Sequence, residues 1–359
     1  MVYNFNPGPA VLPAEVMRQA QAEFVNYHGL GYGIMEASHR AKEFEEVIGA
    51  AEANIRSLLG LSADFAVLFL QGGATLQFGM IPMNLLAAGR RADYADTGYW
   101  SAKAIKEAKL FGQVRVLASS KDSNYDHIPD PAGWPYDPQA VYLHLTTNNT
   151  IYGSQYQKLP TPPAGVPLIA DMSSDAFSRP FDPTPFGLIY AGAQKNLGPS
   201  GVTLVIIRKD LAEKGPTNLT TMLQYRTYVE SNSMHNTPPT FGIYMVRLVT
   251  DWIKAQGGLA GIEAATTAKA NALYAEIDRD AFYRCPVRRD SRSRMNVVFR
   301  LPSEALEEAF AGAAKKAGLI GLKGHRAVGG MRASLYNAMP AAGVTALVQF
   351  MQDFRQKHG

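Results

Sequence analysis

Short apolar runs alternate with amphipathic stretches along most of the chain. The candidate strands are Phe65–Leu70, Val114–Leu117, Val141–Leu145, Pro167–Ala170, Gly187–Ala191 and Val202–Ile207. Most are continuously apolar, rich in Val, Ile and Leu, and bounded by Gly or polar residues. Strands covered on both faces read this way, because neither side of their sheet meets water. One helix between them is well marked: Phe44, Val47, Ile48, Ala51, Ile55, Leu58 and Leu59 recur at spacings of three and four, and Gly60 suits its stop. The pattern predicts an α/β fold with a mostly parallel, mixed sheet covered by helices. No internal repeat is visible.

The pattern changes after about residue 240. Two helices (241–256 and 262–280) lead to a strand at Met295–Phe299, a helix at 303–317, a strand at Met331–Tyr336 and a last helix at 341–355. This predicts a smaller C-terminal α/β domain, with a boundary near 260. The expected division is a large domain over 16–260 and a small domain built from 1–15 and 261–359. The Pro-rich stretches at 129–138 and 160–167 read as loops, because strand-like runs follow them directly.

Composition narrows the classes. The 359 residues are 47% hydrophobic and 18% charged, enough apolar surface for a sizeable core and too much for general disorder. The net charge is +4 without a long Lys/Arg block, so no nucleic-acid footprint is expected. One cysteine, Cys285, excludes an intramolecular disulfide framework and a Cys-based zinc cluster, and no metal site is expected. The first residues lack a basic region followed by an apolar one, and no apolar run is long enough for a membrane span. A cytoplasmic protein is the expectation.

The most informative pair is Asp171 and Lys195. Each follows an apolar run, at the expected carboxyl end of a strand, where open α/β sheets bind their ligands. Alone, the pair reads as a surface lysine and a capping aspartate. The surroundings of Lys195, Ala191-Gly192-Ala193-Gln194-Lys195-Asn196-Leu197-Gly198-Pro199-Ser200-Gly201, change that reading. Small residues before the lysine let a bound group approach, and the Gly-Pro-Ser-Gly turn folds the chain back into the next strand. A poorly solvated amine there has a lowered pKa and becomes a nucleophile. A Schiff-base lysine needs this, and an electron-sink cofactor needs a carboxylate on its pyridinium nitrogen, for which Asp171 is the candidate.

This segment resembles the lysine signature of the class V aminotransferases, which use pyridoxal 5′-phosphate on the fold-type-I scaffold. The likeness is nearest to the branch that handles phosphoserine. It extends in order through Asn4–Ala10, Ser38-His39-Arg40, Leu70–Phe78, Asp96–Ser101, Asn148–Gly153, Ala170–Ser174, Tyr190–Gly201, His235–Thr240 and Gly324–Ser334. The resemblance implies that Ala74 and Thr75, in the Gly72-Gly73-Ala74-Thr75 loop, hold the cofactor phosphate with Gln194. Some members carry Gly-Arg where this chain has Ala74-Thr75, which leaves more of the work to backbone N–H groups and the Thr75 hydroxyl. It further implies that Trp100 stacks on the ring, that Thr150 bonds the ring hydroxyl, and that Ser173 assists Asp171. Asn236 and Thr237 would reach the phosphate held by the neighbouring subunit, which makes a homodimer with shared active sites.

Two His-Arg pairs remain, His39-Arg40 and His325-Arg326, with Arg332 six residues after the second. A lone pair of this kind reads as exposed basic surface. A substrate with a carboxylate at one end and a phosphate at the other needs two anion sites, and arginine suits both. The resemblance assigns Arg332 to the α-carboxylate. It places His39, Arg40, His325 and Arg326 around the distal phosphate, His39 and Arg40 coming from the partner subunit. The implied reaction is amino transfer from L-glutamate to 3-phosphohydroxypyruvate, giving O-phospho-L-serine and 2-oxoglutarate, with Lys195 and Asp171 catalytic. A phosphorylated hydroxy-threonine of vitamin B6 synthesis is a second implied substrate.

Other classes make different demands. A cysteine desulfurase needs a reactive cysteine on a mobile loop, and Cys285 lies just before a predicted strand. An alanine–glyoxylate enzyme needs fewer distal cations. A nicotinamide-dependent dehydrogenase needs G-x-G-x-x-G after its first strand, and no candidate strand is followed by it. A non-catalytic binding protein on the same scaffold would keep Lys195 and Asp171 and be inert with glutamate.

Overall fold

The computed structural model describes all 359 residues. The chain opens with β1 (Tyr3–Asn4), α1 (Ala14–Glu23) and α2 (Lys42–Leu59). Helix α2 buries the predicted three–four stripe except Leu58, which is half-buried, and Gly60 ends it with φ +62°, a left-handed stop that a residue without Cβ adopts cheaply. There follow β2 (Phe65–Leu70), α3 (Gly73–Leu85), β3 (Arg91–Asp96), α4 (Tyr99–Ala108), β4 (Gln113–Ser119) and β5 (Leu143–Thr146). A small hairpin, β6 (Asn148–Asn149) and β7 (Ser154–Gln155), precedes β8 (Leu168–Asp171), β9 (Phe186–Gly192) and β10 (Thr203–Arg208).

Seven of these strands form one sheet in the order β2-β10-β9-β8-β5-β3-β4. The β9, β8, β5, β3 and β4 pairings are parallel, and β10 runs antiparallel to both its neighbours. The expected mixed, mostly parallel sheet is thus observed. Its apolar strands are covered on both faces by separate clusters of buried residues.

One central strand escaped the hydrophobic pattern. β3 reads Arg-Ala-Asp-Tyr-Ala-Asp, yet five of its six residues are buried. Its polar groups are satisfied across the sheet. Arg115 on β4 donates Nε and Nη2 to the two oxygens of Asp93 at 3.0 and 2.9 Å, and Tyr94 OH meets Tyr142 OH at 2.8 Å. A paired buried charge costs far less than a lone one, so a strand with this composition can be central.

The remaining elements are α5 (Lys209–Lys214), α6 (Tyr225–Glu230), α7 (Thr240–Ala255), α8 (Gly258–Ile277), β11 (Asn296–Phe299), α9 (Glu304–Lys316), β12 (Leu319–Ile320), β13 (Met331–Ser334) and α10 (Ala341–His358). A third apolar cluster joins α8, α9, α10, β11 and β13, and it includes Phe5. β1 pairs with β12, which ties the amino terminus to this C-terminal body. The first cluster holds Val16, Leu259 and Ile262, and the third begins at Ala270. We propose the division 16–260 against 1–15 plus 261–359 on this basis; α8 runs across the boundary as one continuous helix. No helix is long and apolar enough to cross a membrane.

Candidate active site

The carboxyl ends of β2, β3, β5, β8 and β9 lie at one edge of the sheet, and the chain leaves each of them into one pocket. After β2, Gly72 (φ +89°) turns the chain into α3; a Cβ there would lie 2.5 Å from Leu76 Cδ2. The first turn of α3 then presents the Gly73, Ala74 and Thr75 backbone N–H groups, which have no acceptor within their own helix, together with the positive end of the helix dipole. After β3, Ser101 Oγ accepts from the Thr97 and Gly98 N–H groups at 3.0 and 2.9 Å and fixes the start of α4, which carries Trp100.

Asp171 ends β8 and Lys195 follows β9, its parallel neighbour. Ser173 N donates to Asp171 Oδ1 at 2.9 Å, and Ser173 Oγ accepts from Gly192 N at 3.1 Å. Burial pushes the Asp171 carboxyl up, while the Ser173 bonds and the Lys195 charge pull it back. Lys195 donates Nζ to Thr150 Oγ1 at 2.7 Å. The protein packed round this amine lowers its pKa to about 8; Asp171 and Asp175 oppose the shift and Arg332 adds to it. Gly8 crosses over the lysine stem, where a Cβ would stand 3.3 Å from Lys195 Cγ.

Eight of the residues singled out in the sequence line this single pocket: Ala74, Thr75, Trp100, Thr150, Asp171, Ser173, Gln194 and Lys195. Arg332, on β13, is buried beside it and donates Nη1 to Thr150 O at 3.3 Å. Burial lowers the pKa of its guanidinium. His325 packs against Tyr99, with ring centroids 5.7 Å apart, and its pKa is lowered by burial and by Arg332 and Arg326. Arg326 and Arg40 are exposed. His39, Asn236 and Thr237 do not line the pocket within one chain. His39 Nδ1 lies 3.3 Å from Thr237 Oγ1, and Gln71 Nε2 donates to Thr237 O at 3.2 Å, so these residues form a second group on the surface.

The pocket also uses residues the sequence did not single out: Phe78, Thr146, Asn148 and Ser174. The polar run Thr146–Thr150 at the end of a buried strand is a signal for two of them. Phe78 carries none, being one more apolar position of a helix. Cys285 packs against the third apolar cluster and burial pushes its thiol up, the reverse of an activated nucleophile.

This donor set fits a phosphorylated pyridine aldehyde. An amine and a carboxylate sit on adjacent strand ends, an aromatic wall of Trp100 and Phe78 flanks them, and a helix N-terminus suits a phosphate. Trp100 Nε1 and Thr146 Oγ1 are buried without partners.

Comparison with known proteins agrees with this geometry. The family model described as aminotransferase class-V matches residues 2–347. The phosphoserine aminotransferase of Herpetosiphon aurantiacus is 55% identical over 100% of this chain and 99% of its own length. A solved phosphoserine aminotransferase from Bacillus circulans subsp. alkalophilus superposes with a TM-score of 0.98 at 54% identity, covering 100% of this chain and 99% of that one. A pyridoxal-phosphate-bound phosphoserine aminotransferase from Trichomonas vaginalis gives a TM-score of 0.94 at 38% identity, covering 98% and 100%.

Proposed function

Because the chain belongs to the class-V aminotransferase family, we propose that it transfers the amino group of L-glutamate to 3-phosphohydroxypyruvate, giving O-phospho-L-serine and 2-oxoglutarate, with pyridoxal 5′-phosphate as its cofactor. The observation that carries the reading is that Lys195 and Asp171 share one pocket, with Arg332 buried beside it and Thr150 touching both Lys195 and Arg332.

When bound, the cofactor supplies a ring that accepts the electron pair left at the substrate Cα. Asp171 holds the proton on the ring nitrogen. Lys195 would hold the cofactor through its Nζ, and that amine, when free, would carry the proton that leaves the substrate Cα. An amine with a pKa of about 8 suits both directions of that transfer. Thr150 Oγ1 keeps Nζ in place. Arg332 pairs its planar fork with the α-carboxylate, and its buried, partnerless Nε leaves donor capacity for that contact. The first turn of α3 and Gln194 take the cofactor phosphate.

The distal anion is assigned to His325 and Arg326 together with His39 and Arg40 of the partner subunit. The partner's Asn236 and Thr237 complete the phosphate site. The grouping of His39 with Thr237 on the surface, apart from the pocket of their own chain, fits a homodimer with shared sites. One distal cluster for both the glutamate γ-carboxylate and a phosphate explains two substrates taken in turn, and it suits 4-phosphohydroxy-L-threonine as well. We place the reaction in the cytoplasm. The test is the visible absorbance of the purified protein before and after glutamate. The band should shift with glutamate and be absent from Lys195→Ala, which should also lose turnover; near-normal activity in that variant would overturn the mechanism.

A further inference from the structure

A buried carboxylate that the mechanism above does not use fastens the hairpin that carries Thr150. Thr150 lies in the turn between β6 and β7. Thr147, just before β6, donates Oγ1 to Asp175 Oδ1, and Gln155, in β7, donates Nε2 to Asp175 Oδ2 at 3.1 Å. Both feet of the hairpin are therefore held by the two oxygens of one side chain. Gln155 is fixed from its other end too, since its Oε1 accepts from Arg294 N at 3.0 Å. Thr147 also binds the strand that ends in Asp171, giving its N to Asp171 O at 3.0 Å. At the hairpin tip, Thr150 meets Lys195 Nζ with its hydroxyl and Arg332 Nη1 with its carbonyl.

We propose that Asp175 is a positioning residue: through Thr147 and Gln155 it sets the height of Thr150, and with it the spacing between the Lys195 amine and the Arg332 guanidinium. This rests on the reading of Lys195 and Arg332 given above. A carboxylate is the group that suits the place. Gln155 Nε2 is a pure donor and needs one oxygen; an amide at 175 could supply that oxygen, but its N–H would then have to be accepted by Thr147 Oγ1, reversing that bond and sending the hydroxyl proton elsewhere. Burial pushes the Asp175 carboxyl up; Arg179 and the Thr147 and Gln155 bonds pull it back, and Asp171 adds to the rise. Around the Lys195 amine the charged groups are Asp171 and Asp175 on one side of the balance and Arg332 on the other.

Two variants of the holoenzyme separate charge from clamp. Asp175→Asn should lower the pH at which the visible band titrates, by less than about one unit because Asp175 acts more weakly on that amine than Asp171 or Arg332. It should also raise the KM for glutamate about tenfold, the equivalent of one lost charge-assisted contact. Gln155→Met removes half of the clamp but no charge. It should raise the KM while leaving the band titration where it is in the unsubstituted enzyme. An Asp175→Asn enzyme with an unmoved titration and an unchanged KM overturns the proposal. Should that variant fail to fold, Gln155→Met decides, and an unchanged KM overturns the clamp. Failure of the unsubstituted enzyme to shift its band with glutamate would instead sink the reading of the site, whatever Asp175 does.

Discussion

Thr150→Val tests the electrostatics of the site most directly. The substitution keeps the shape and removes only the hydroxyl that accepts from Lys195 Nζ at 2.7 Å. A hydrogen bond to a charged group contributes about 1.5–3 kcal/mol, and the protonated amine loses more of it than the neutral one. At about 1.36 kcal/mol per unit, a net difference near the lower end lowers the amine pKa by roughly one unit. The starting value is about 8. At pH 7 the neutral, nucleophilic fraction of the amine would then rise from about a tenth to about a half. The sign follows from the chemistry. Protonation silences the amine, so cofactor capture by the apoenzyme slows as pH falls through the folded pKa, and lowering that pKa extends fast capture to lower pH. The assay is the rate at which apoenzyme gains its visible band on mixing with pyridoxal 5′-phosphate, measured across pH 6–10. The inflection should move down by about one unit in Thr150→Val and stay in place in Thr150→Ser, which keeps an acceptor. Using the inflection rather than the extent of binding separates this effect from any contact Thr150 makes with the bound ring. A Thr150→Val inflection at the wild-type pH would refute the argument that this hydroxyl steadies the charged amine.

Other residues give sharper tests of packing and recognition. Arg332→Lys keeps the charge but loses the planar fork, so the KM for glutamate should rise about 10- to 100-fold in steady-state assays while the visible band of the resting enzyme is retained. Lys269, buried in α8, gives Nζ to the carbonyls of Tyr336, Asn337 and Met339 at 2.7, 3.1 and 2.9 Å. Lys269→Met strands those acceptors and should cost about 2–4 kcal/mol in urea denaturation of the apoprotein. Asn296 joins Asn148 to Ser334 through buried bonds of 2.7 and 3.0 Å. Asn296→Leu removes the partner of one Asn148 N–H and of the Ser334 hydroxyl and should lower stability by about 1–3 kcal/mol by the same measurement. If the distal site is shared between subunits, mixing inactive Arg40→Ala with inactive Lys195→Ala protein should restore up to about a quarter of the activity through mixed dimers that hold one intact site.

Much of the fold was legible along the chain because a strand covered on both faces must be apolar throughout. Phe65–Leu70 is a strand with the bounds its composition announces, and the other predicted strands shift by one or two residues at their ends. The same rule placed Asp171, directly after such a run, and Lys195, four residues past the end of the next, since a charged residue there sits where the strand leaves the sheet. β3 was illegible for the complementary reason. Its Asp93 is tolerable inside only because Arg115, on another strand, lies opposite, and local composition carries no record of that partner.

The sequence by itself determined the class of fold, the placing of Asp171 and Lys195 at the carboxyl ends of strands and the glycine turn before α3, each of which depends on residues close together in the chain. The tertiary structure alone decided the strand order that puts β8 beside β9, the approach of Arg332 to Thr150 across 182 residues, and the carboxylate of Asp175 beneath the hairpin. Periodicity reports which face of an element avoids water. It does not report which distant face it meets, and the hydrogen bonds that tune this site are made only after those faces have met.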